Sequence, residues 1–433
     1  MTTKPISSVK RFYFLEYFYV LLKSIEKYAQ KELVFDSFKI LKHKHRLGES
    51  KYKTLASDVE NPSRAQLNRY RYTFGQVIDE AIEYDLVNYS NDRSELRLTE
   101  KGAVLLKQYD DVDNGPMKYN RTLFKYMEAK YGAFRYHIEF LYQGNKYKPG
   151  LLVLPIYSPR QLHFERSAIK TRHDIVEYSK ALVKKLEDDI EKYLGERKTL
   201  AGENKQLLAK LTEADLIPSI PTREFSAEKY NVITKRFRDF WVNYFLRDIY
   251  GYEYSLNSFD IWTYRGKQIG IIQATEFYPN FNGRLVYPTS VVLKSTQSND
   301  FKKLYDYPTN FSLFVHEPII PENQEKFVDS LLKAYLDLRR FNRSYFISLS
   351  ALREIVCYNM KLSENLFEAF LNNTYKLNLA GLLKIRISLE VDKLPEETQA
   401  MYLKQEPVMV DGKYRNIIAI DVAKGGKFNE KIT

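Results

Sequence analysis

The sequence predicts a multidomain α+β protein with helical regions at both ends and a mixed α/β middle. From Val9 to about Lys42 apolar residues recur at helical spacing, whereas runs further along such as FRYHIEFLY and GLLVLPIY are typical of strands. The chain has 433 residues, 44% of them hydrophobic, which is enough for roughly two to four domains with buried cores. We predict four regions, which cover residues 1–114, 115–220, 221–335 and 336–433.

The charge balance favours a polyanionic partner. The chain carries 67 Lys and Arg against 55 Asp and Glu, a formal charge of +12 at pH 7, which suits nucleic acid without requiring it. A single cysteine, Cys357, excludes an internal disulfide and a cysteine-based metal site, and it fits a reducing, cytoplasmic compartment.

Other composition signals exclude whole classes of protein. The apolar run FYFLEYFYVLL is interrupted by Glu16 and ends at Lys23, which is too short to span a bilayer, so we expect no contact with a membrane. The chain has no phosphate-binding loop, no dinucleotide fingerprint and no HExxH motif. No cofactor is therefore expected.

The N-terminal region has a characteristic order of elements. A short helical segment, TLASDV, is followed by a turn at Pro62 and by Ser63, which is a plausible N-cap residue. The elements that follow are a helix over 64–84, a strand over 86–89, a turn over 90–94, a strand over 95–98 and a helix that Thr99 opens.

This order resembles a winged helix-turn-helix domain, and the resemblance covers about residues 25–110. It is carried by AIEYDLVNY, which passes into the hairpin, and by the closing LRLTEKGAVLL. A weaker likeness covers about residues 340–425, where Ser363 precedes a helix and the strands 382–391 and 415–422 are expected to pair. Winged helices bind DNA in some proteins and other proteins elsewhere, so the resemblance alone leaves the ligand open.

The helix after Ser63 is the main candidate for contact with DNA. Arginine and lysine can reach phosphates and guanine, asparagine and glutamine can reach adenine, and tyrosine can reach phosphates. No acidic residue lies between Pro62 and Ile78. The predicted nucleic-acid-binding residues are Lys42, Lys44, Arg46, Lys51, Lys53, Arg64, Gln66, Asn68, Arg69, Arg71, Tyr72 and Arg93.

Two other interpretations of the winged helices remain open. The polar face of the first one is also consistent with a solvated helix surface or with a protein-docking module. The corresponding helix of the C-terminal region, SENLFEAFLNNTYKL, carries Glu364, Asn365, Glu368, Asn372 and Asn373, which we expect to be exposed. Because that first turn would repel phosphates, we expect protein contact or a structural role there.

The middle region raises the alternative of a metal-dependent nuclease. We expect a hairpin over FDIWTYRGKQIGIIQATEF with Arg265 and Gly266 at its turn. That hairpin resembles the PD-(D/E)xK nucleases in a degenerate form, in which carboxylates would hold Mg²⁺ and a lysine would assist the attacking water. The weak catalytic candidates are Asp260, Lys267, Gln273 and Glu276, and with only one secure carboxylate no metal site is predicted.

The function predicted from the residues is that of a DNA-binding protein. It would act as a recognition or scaffolding subunit of a larger DNA-processing or genome-defence assembly, for example in antiviral defence, with protein partners at the C-terminal winged helix. A long charged segment over about 171–211 is predicted to be helical, either as a protruding hairpin or as a short dimerising element. The oligomeric state is left open.

Overall fold

The computed structural model of the chain shows a mixed α+β fold, mostly helical with small sheets. It describes residues 10–44, 62–111, 115–143, 152–155, 250–275, 283–289, 292–293, 301–306, 312–316, 321–391 and 408–422, with isolated positions between 174 and 188 and at 246–247. The chain divides into two compact units. The first consists of Met1–Tyr136, Asp260–Gln273 and Thr289–Thr433, and the second of His137–Phe259 and Ala274–Pro288.

The first unit begins with helices packed around a small hairpin. Helix α1 is largely buried, and its aromatic residues form much of the local core. The hairpin strands are antiparallel, and Gln30, between the first two helices, bridges to Glu95 at its edge. The elements are α1 (Glu16–Lys27), α2 (Lys31–Lys44), α3 (Arg64–Glu83), β1 (Val87–Tyr89), β2 (Leu96–Leu98), α4 (Glu100–Tyr109) and α5 (Gly115–Lys130).

The predicted starts of α3 and α4 are confirmed. The Ser63 hydroxyl accepts a hydrogen bond from the backbone N–H of Gln66, and the Gln66 side chain accepts one from the backbone N–H of Ser63 at 2.7 Å. This is a capping box, which satisfies two N–H groups that a helix start leaves without partners. Thr99 caps α4 through a single hydrogen bond, which its hydroxyl accepts from the backbone N–H of Gly102 at 3.1 Å. The segment TLASDV lies outside the described residues.

The segment FRYHIEFLY, which alternates like a strand, belongs instead to helix α6 (Gly132–Gln143). The prediction of a strand was wrong, and His137, one of the polar positions in the alternating pattern, is fully buried in the helix. Its Nδ1 lies 3.1 Å from the hydroxyl of Tyr252, and its ring packs edge-on against Phe259. Burial lowers the pKa of His137 to about 3, so the ring is neutral at pH 7.

The expected hairpin around Arg265 and Gly266 is also absent, because these residues lie in helix α7 (Leu256–Ile269). Ser255 accepts a hydrogen bond from the backbone of Ser258 at 3.3 Å, as an N-cap residue does. The helix ends at Ile269 and is followed by Gly270, whose φ of +89° is one that glycine adopts without strain. The alternation was misread because Arg265, counted as a turn residue, is buried.

Short strands surround α7 in the sequence. β3 (Leu152–Pro155) is antiparallel to β5 (Gly283–Pro288) in the second unit, and β4 (Ile272–Ala274) follows α7 directly. Three further strands form a sheet in the order β6-β8-β7. Their bounds are Val292–Leu293 for β6, Phe301–Asp306 for β7 and Ser312–His316 for β8. The charged segment predicted to be helical over 171–211 lies almost wholly outside the described residues.

The C-terminal part of the first unit places helices against a three-stranded antiparallel sheet in the order β10-β13-β9. The predicted pairing of the two long strands is confirmed, with Ile387 opposite Ile420. Burial alternates along β10, so one face of the sheet covers the core. The elements are α8 (Pro321–Asn342), β9 (Ile347–Ser348), α9 (Leu349–Met360), α10 (Glu364–Leu379), β10 (Ile385–Glu390), β11 (Val408–Val410), β12 (Lys413–Arg415) and β13 (Ile417–Val422).

Gly102 fixes the approach of α4 to the backbone of Leu86, directly before β1. A Cβ atom at this position would lie 2.2 Å from the carbonyl oxygen of Leu86, whereas a Cβ at Gly75, on α3, would meet nothing within 4 Å. We expect Gly102→Ala to lower the free energy of unfolding by about 1–3 kcal/mol. Gly75→Ala should raise it by about 0.5–1 kcal/mol, because alanine favours the helix. Urea denaturation measures both, and equal effects of the two substitutions would contradict the packing argument.

Candidate nucleic-acid interface

The first half of α3 presents a polar ridge to solvent. Arg64, Asn68 and Tyr72 follow one another at four-residue intervals and therefore lie in a row along the helix. All three are exposed, Tyr72 to 51%, and Arg69 is exposed beside them. The opposite side of the helix, which includes Phe74, is buried in the core. We refer to Arg64, Asn68, Arg69 and Tyr72 as the basic ridge.

Nothing in the described part of the chain neutralises the two arginines of the basic ridge. Neither Arg64 nor Arg69 forms an ion pair there. The first turn of α3 contains no acidic residue, so no carboxylate there opposes the positive end of the helix dipole or the guanidinium groups of the ridge. An anion at this surface would meet both.

The second half of α3 is acidic and is anchored to other segments. Asp79 and Glu83 both lie near Lys10, whose Nζ is 3.9 Å from an Asp79 oxygen and 3.2 Å from a Glu83 oxygen. Gln76 accepts a hydrogen bond from the backbone N–H of Arg11 at 3.1 Å. The helix is therefore divided into a basic exposed half and an acidic half that other residues hold.

The strongest anchor of α3 is a buried ion pair between Glu80 and Arg265 of α7. Both side chains are 0% exposed, and the two guanidinium nitrogens of Arg265 donate to the two carboxylate oxygens of Glu80 at 2.6 and 2.8 Å. The same guanidinium lies 4.5 Å from the ring centre of Phe12 and 5.1 Å from that of Trp262. Burial opposes the charge on Arg265, but the attraction of Glu80 outweighs it and raises the pKa of Arg265 above its ordinary value.

Two tyrosines complete the surroundings of this pair. The hydroxyl of Tyr84 donates to Glu80 at 2.6 Å, and that of Tyr131 donates to Glu83 at 2.5 Å. Burial, followed by the nearby carboxylates, raises the pKa of both hydroxyls, which therefore keep their protons. The carboxylate of Glu80 thus receives hydrogen bonds from a cation and a neutral hydroxyl, as a buried charge requires.

Helix α2 contributes less to the exposed surface than predicted. Lys42 is only 5% exposed, and its ammonium lies against the rings of Tyr17 and Tyr70 at 5.0 and 5.2 Å. His43 also contacts Tyr70, with 3.1 Å between its Nε2 and the hydroxyl, whereas Lys44 is exposed. The prediction that Lys42 belongs to the exposed contact surface is therefore corrected. Arg46, Lys51 and Lys53 lie outside the described residues.

Arg71 is exposed but already has an acidic partner. Its two terminal nitrogens lie 3.4 and 3.2 Å from the two carboxylate oxygens of Glu32 on α2, and its guanidinium lies 5.0 Å from the ring centre of Phe35. The sequence of α3 alone does not reveal this ion pair, because Glu32 lies on another helix. A phosphate would have to compete with Glu32 for Arg71.

Of the predicted DNA-binding residues, Gln66 is used within the capping box and Arg93 lies beside an acidic residue at the hairpin turn. The side-chain oxygen of Gln66 closes the capping box, so this glutamine stabilises the start of α3. Arg93 is exposed at the hairpin turn in a left-handed conformation with φ of +58°. Its neighbour Asp92 accepts hydrogen bonds from Ser90 and Ser94, which lower the pKa of Asp92 to about 2. The turn therefore carries opposite charges side by side.

Two of the weak catalytic candidates meet at a residue that sequence reasoning did not select for chemistry. Lys267 and Gln273 both donate to one oxygen of Glu364, at 2.9 and 3.1 Å, and a nitrogen of Arg353 lies 3.5 Å from it. Burial opposes ionisation of Glu364, but Arg353 and Lys267 outweigh it and lower its pKa. The expectation that Glu364 is exposed was wrong, because these cations hold it in the interior.

The geometry expected for a nuclease hairpin is not formed. Asp260 lies on α7, one face of which is buried, and not at the start of a hairpin strand. A separation of seven residues along a helix corresponds to about 10 Å between Asp260 and Lys267. Glu276 lies outside the described residues. Among the described residues, no group of three or more His, Cys, Asp or Glu side chains is placed to hold a metal ion.

The polar residues of α10 are used within the C-terminal part of the fold. Asn372 donates to the carbonyl oxygen of Met409 at 2.9 Å and accepts from the backbone of Asp411 at 2.8 Å. Asn373 donates to Gln324, and Asn365 to the carbonyl oxygen of Gln268. These contacts give α10 a structural role, and contact with a protein partner there stays a prediction.

Comparison with known proteins identifies no similar protein. No protein-family model matches the chain, no curated protein matches it, and no solved structure matches it. A search for helices that could cross a bilayer, restricted to the residues that the structure describes, finds none of sufficient length and apolarity.

Cys357 is fully buried, and burial raises the pKa of its thiol.

The Glu80–Arg265 pair gives a test of what holds α3 in place. We expect Glu80→Gln to lower the free energy of unfolding by about 3–5 kcal/mol, because it leaves a buried guanidinium without a charged partner. The matched substitution Glu32→Gln breaks the exposed pair with Arg71 and should cost less than about 1 kcal/mol. Urea denaturation of both variants measures the difference.

A double variant separates the charge from the packing at the same position. Replacing both partners with apolar residues, Glu80→Leu with Arg265→Met, removes the unpaired charge and should recover most of the stability that Glu80→Gln removes. If the double variant is less stable than Glu80→Gln alone, the attraction within the ion pair stabilises the fold by more than the free energy needed to bury its two charges.

Proposed function

We propose that the N-terminal part of the first unit is a winged helix-turn-helix that binds duplex DNA through α3. The order of its elements supports this, since α3 follows two helices and precedes the antiparallel hairpin of β1 and β2. In such domains the second helix of the motif enters the major groove and the hairpin contacts the backbone beside it. The observation that carries the proposal is the basic ridge, in which Arg64 and Arg69 are exposed and make no ion pair within the described residues.

The charges of the ridge favour phosphate contacts over the reading of bases. Arg64 and Arg69 each offer a delocalised cation with several donors, which suits phosphate oxygens. Asn68 lies between Arg64 and Tyr72 on the exposed side of the helix, where an amide can reach adenine and a hydroxyl can reach a phosphate. Because Gln66 is occupied by the capping box, Asn68 is the main candidate for a base contact.

The wider role follows from the same surface. A protein that binds DNA mainly through phosphates recognises the duplex with little sequence selectivity. Such a protein suits a recognition or scaffolding subunit of a larger DNA-processing or genome-defence assembly. Two of the four candidate residues for hydrolysis, Lys267 and Gln273, hold Glu364 instead.

The salt dependence of binding tests the phosphate contacts. We expect Arg64→Ala with Arg69→Ala to weaken binding to a labelled duplex about tenfold or more at moderate salt. The slope of log affinity against log salt should become shallower by about 0.9 for each phosphate that the variant no longer neutralises. Fluorescence anisotropy over a series of salt concentrations measures both quantities.

A control with the same change of charge distinguishes the ridge from the overall charge. Lys107 on α4 and Lys130 at the end of α5 are exposed, and Lys107→Ala with Lys130→Ala also removes two positive charges. This control should change the slope far less than the ridge variant. Equally weakened binding in the two variants would attribute the effect to net charge, and unchanged binding in the ridge variant would reject α3 as the DNA-binding helix.

The pairing of Arg71 with Glu32 gives a prediction of opposite sign. Because Glu32 competes with phosphate for Arg71, we expect Glu32→Ala to strengthen duplex binding several-fold and to steepen the salt slope by about 0.9. Glu100→Ala, an exposed acidic position at the start of α4, serves as the control for a general gain of positive charge. If Glu32→Ala and Glu100→Ala bind alike, Arg71 does not reach the DNA.

A further inference from the structure

A second basic surface lies at the end of α8 and contains none of the residues predicted to bind nucleic acid. The stretch LRRFNRSYF, residues 338–346, contains three arginines and three aromatic residues and no acidic residue. Phe341 is 66% exposed and Phe346 45% exposed, and Arg339, Arg340 and Arg343 are all exposed. We refer to residues 339–346 as the α8 tip.

The chain reversal keeps the α8 tip compact. Helix α8 ends at Asn342, and Arg343 has a left-handed conformation with φ of +51°, which turns the chain back. The hydroxyl of Tyr335, on the last turns of the helix, donates to the carbonyl oxygen of Tyr345 at 2.8 Å. The rings that follow the helix are therefore held at the same end of it as the arginines.

The side chains of the tip are ordered by contacts among themselves. The guanidinium of Arg339 lies 5.3 Å from the ring centre of Tyr345, and the rings of Tyr345 and Phe346 meet edge to face at 5.4 Å. A hydrogen bond to Asp421 is the main reason that the pKa of Tyr345 is raised to about 12.

Two arginines of the tip have no carboxylate partner among the described residues. Arg340 and Arg343 form no ion pair within the residues that the structure describes. The acidic residue nearest to Arg340 along the helix is Asp337, three residues before it. On the neighbouring sheet, Asp421 has Arg386 of β10 opposite it in the register. The tip therefore combines guanidinium groups that form no ion pair within the described residues with exposed aromatic rings.

We propose that the α8 tip binds single-stranded nucleic acid, with bases stacked on its exposed rings and phosphates held by Arg340 and Arg343. Single strands offer both features, because unpaired bases expose their faces and the backbone carries a charge at every nucleotide. A duplex hides its base faces in the stack. An apolar protein surface would bury the guanidinium groups without partners, which is unfavourable.

The ridge on α3 and the α8 tip would then take different forms of nucleic acid. The ridge is suited to duplex backbone, whereas the tip requires exposed bases. The proposal for the tip does not depend on the ridge, since it uses other residues at the opposite end of the sequence. Each can fail without the other.

The experiment compares two labelled single strands of equal length, an oligothymidylate and an abasic strand. A length of about 20 nucleotides spans the site of one small binding domain. Because the two carry the same charge, their difference in affinity for the full chain measures contact with the bases. We expect Phe341→Ala to weaken binding of the oligothymidylate about tenfold and to leave binding of the abasic strand unchanged. Arg340→Ala with Arg343→Ala should weaken binding of both strands.

Matched variants separate stacking at the tip from other effects. Leu379 on α10 is as exposed as Phe341, at 66%, and Leu379→Ala should bind both strands as the wild type does. Arg64→Ala with Arg69→Ala should preserve the preference for bases even where it weakens the overall affinity. Phe341 lies at the surface, so its substitution leaves the core intact.

Four results would overturn the proposal. Equal affinity of the wild type for both strands would show that the bases make no contact, and unchanged binding by Phe341→Ala would place the contact elsewhere. Absence of binding to either strand would remove nucleic acid as the ligand and favour an acidic protein partner. Disappearance of the preference for bases in the ridge variant would assign that preference to α3.

Discussion

The burial of Arg265 depends on Glu80, and the arrangement of three separate segments depends on both. An isolated guanidinium in a protein interior costs several kcal/mol, so α7 can pack in this position only where a carboxylate meets it. Glu80 on α3 supplies that carboxylate, and the carbonyl oxygen of Phe12 accepts a further hydrogen bond from Arg265 at 3.3 Å. Because the geometry is bidentate, it also restricts how α3 and α7 can slide or rotate against each other.

The other side of α7 is tied to the C-terminal part of the first unit. Lys267 donates to Glu364 at the start of α10, and the carbonyl oxygen of Gln268 accepts from both Asn120 and Asn365. A single helix thus links the part of the unit that contains α3 with the part that contains α10. A lysine that suggested catalysis in the sequence has a structural explanation in this link.

The sequence predicted elements whose signals are local and missed those that depend on distant partners. Ser63 and Thr99 lie directly before the helices they cap. In α6 and α7, by contrast, His137 and Arg265 look like surface residues and are buried by partners 115 and 185 residues away. At the candidate site the exposure of Arg64 and Arg69 was predictable from α3 itself, whereas the burial of Lys42 and the pairing of Arg71 were not, since their partners lie on other helices.

The division of α3 into two halves connects its anchoring to its proposed function. Three carboxylates in the second half would repel DNA if they were free, but Lys10 and Arg265 neutralise much of their charge. Ten residues of helix separate Arg69 from Asp79, about 15 Å, which exceeds the Debye length of about 8 Å at physiological salt. The potential at the ridge is therefore set mainly by its own arginines. The acidic half can hold the helix in the fold without cancelling the charge that the basic half offers to a phosphate.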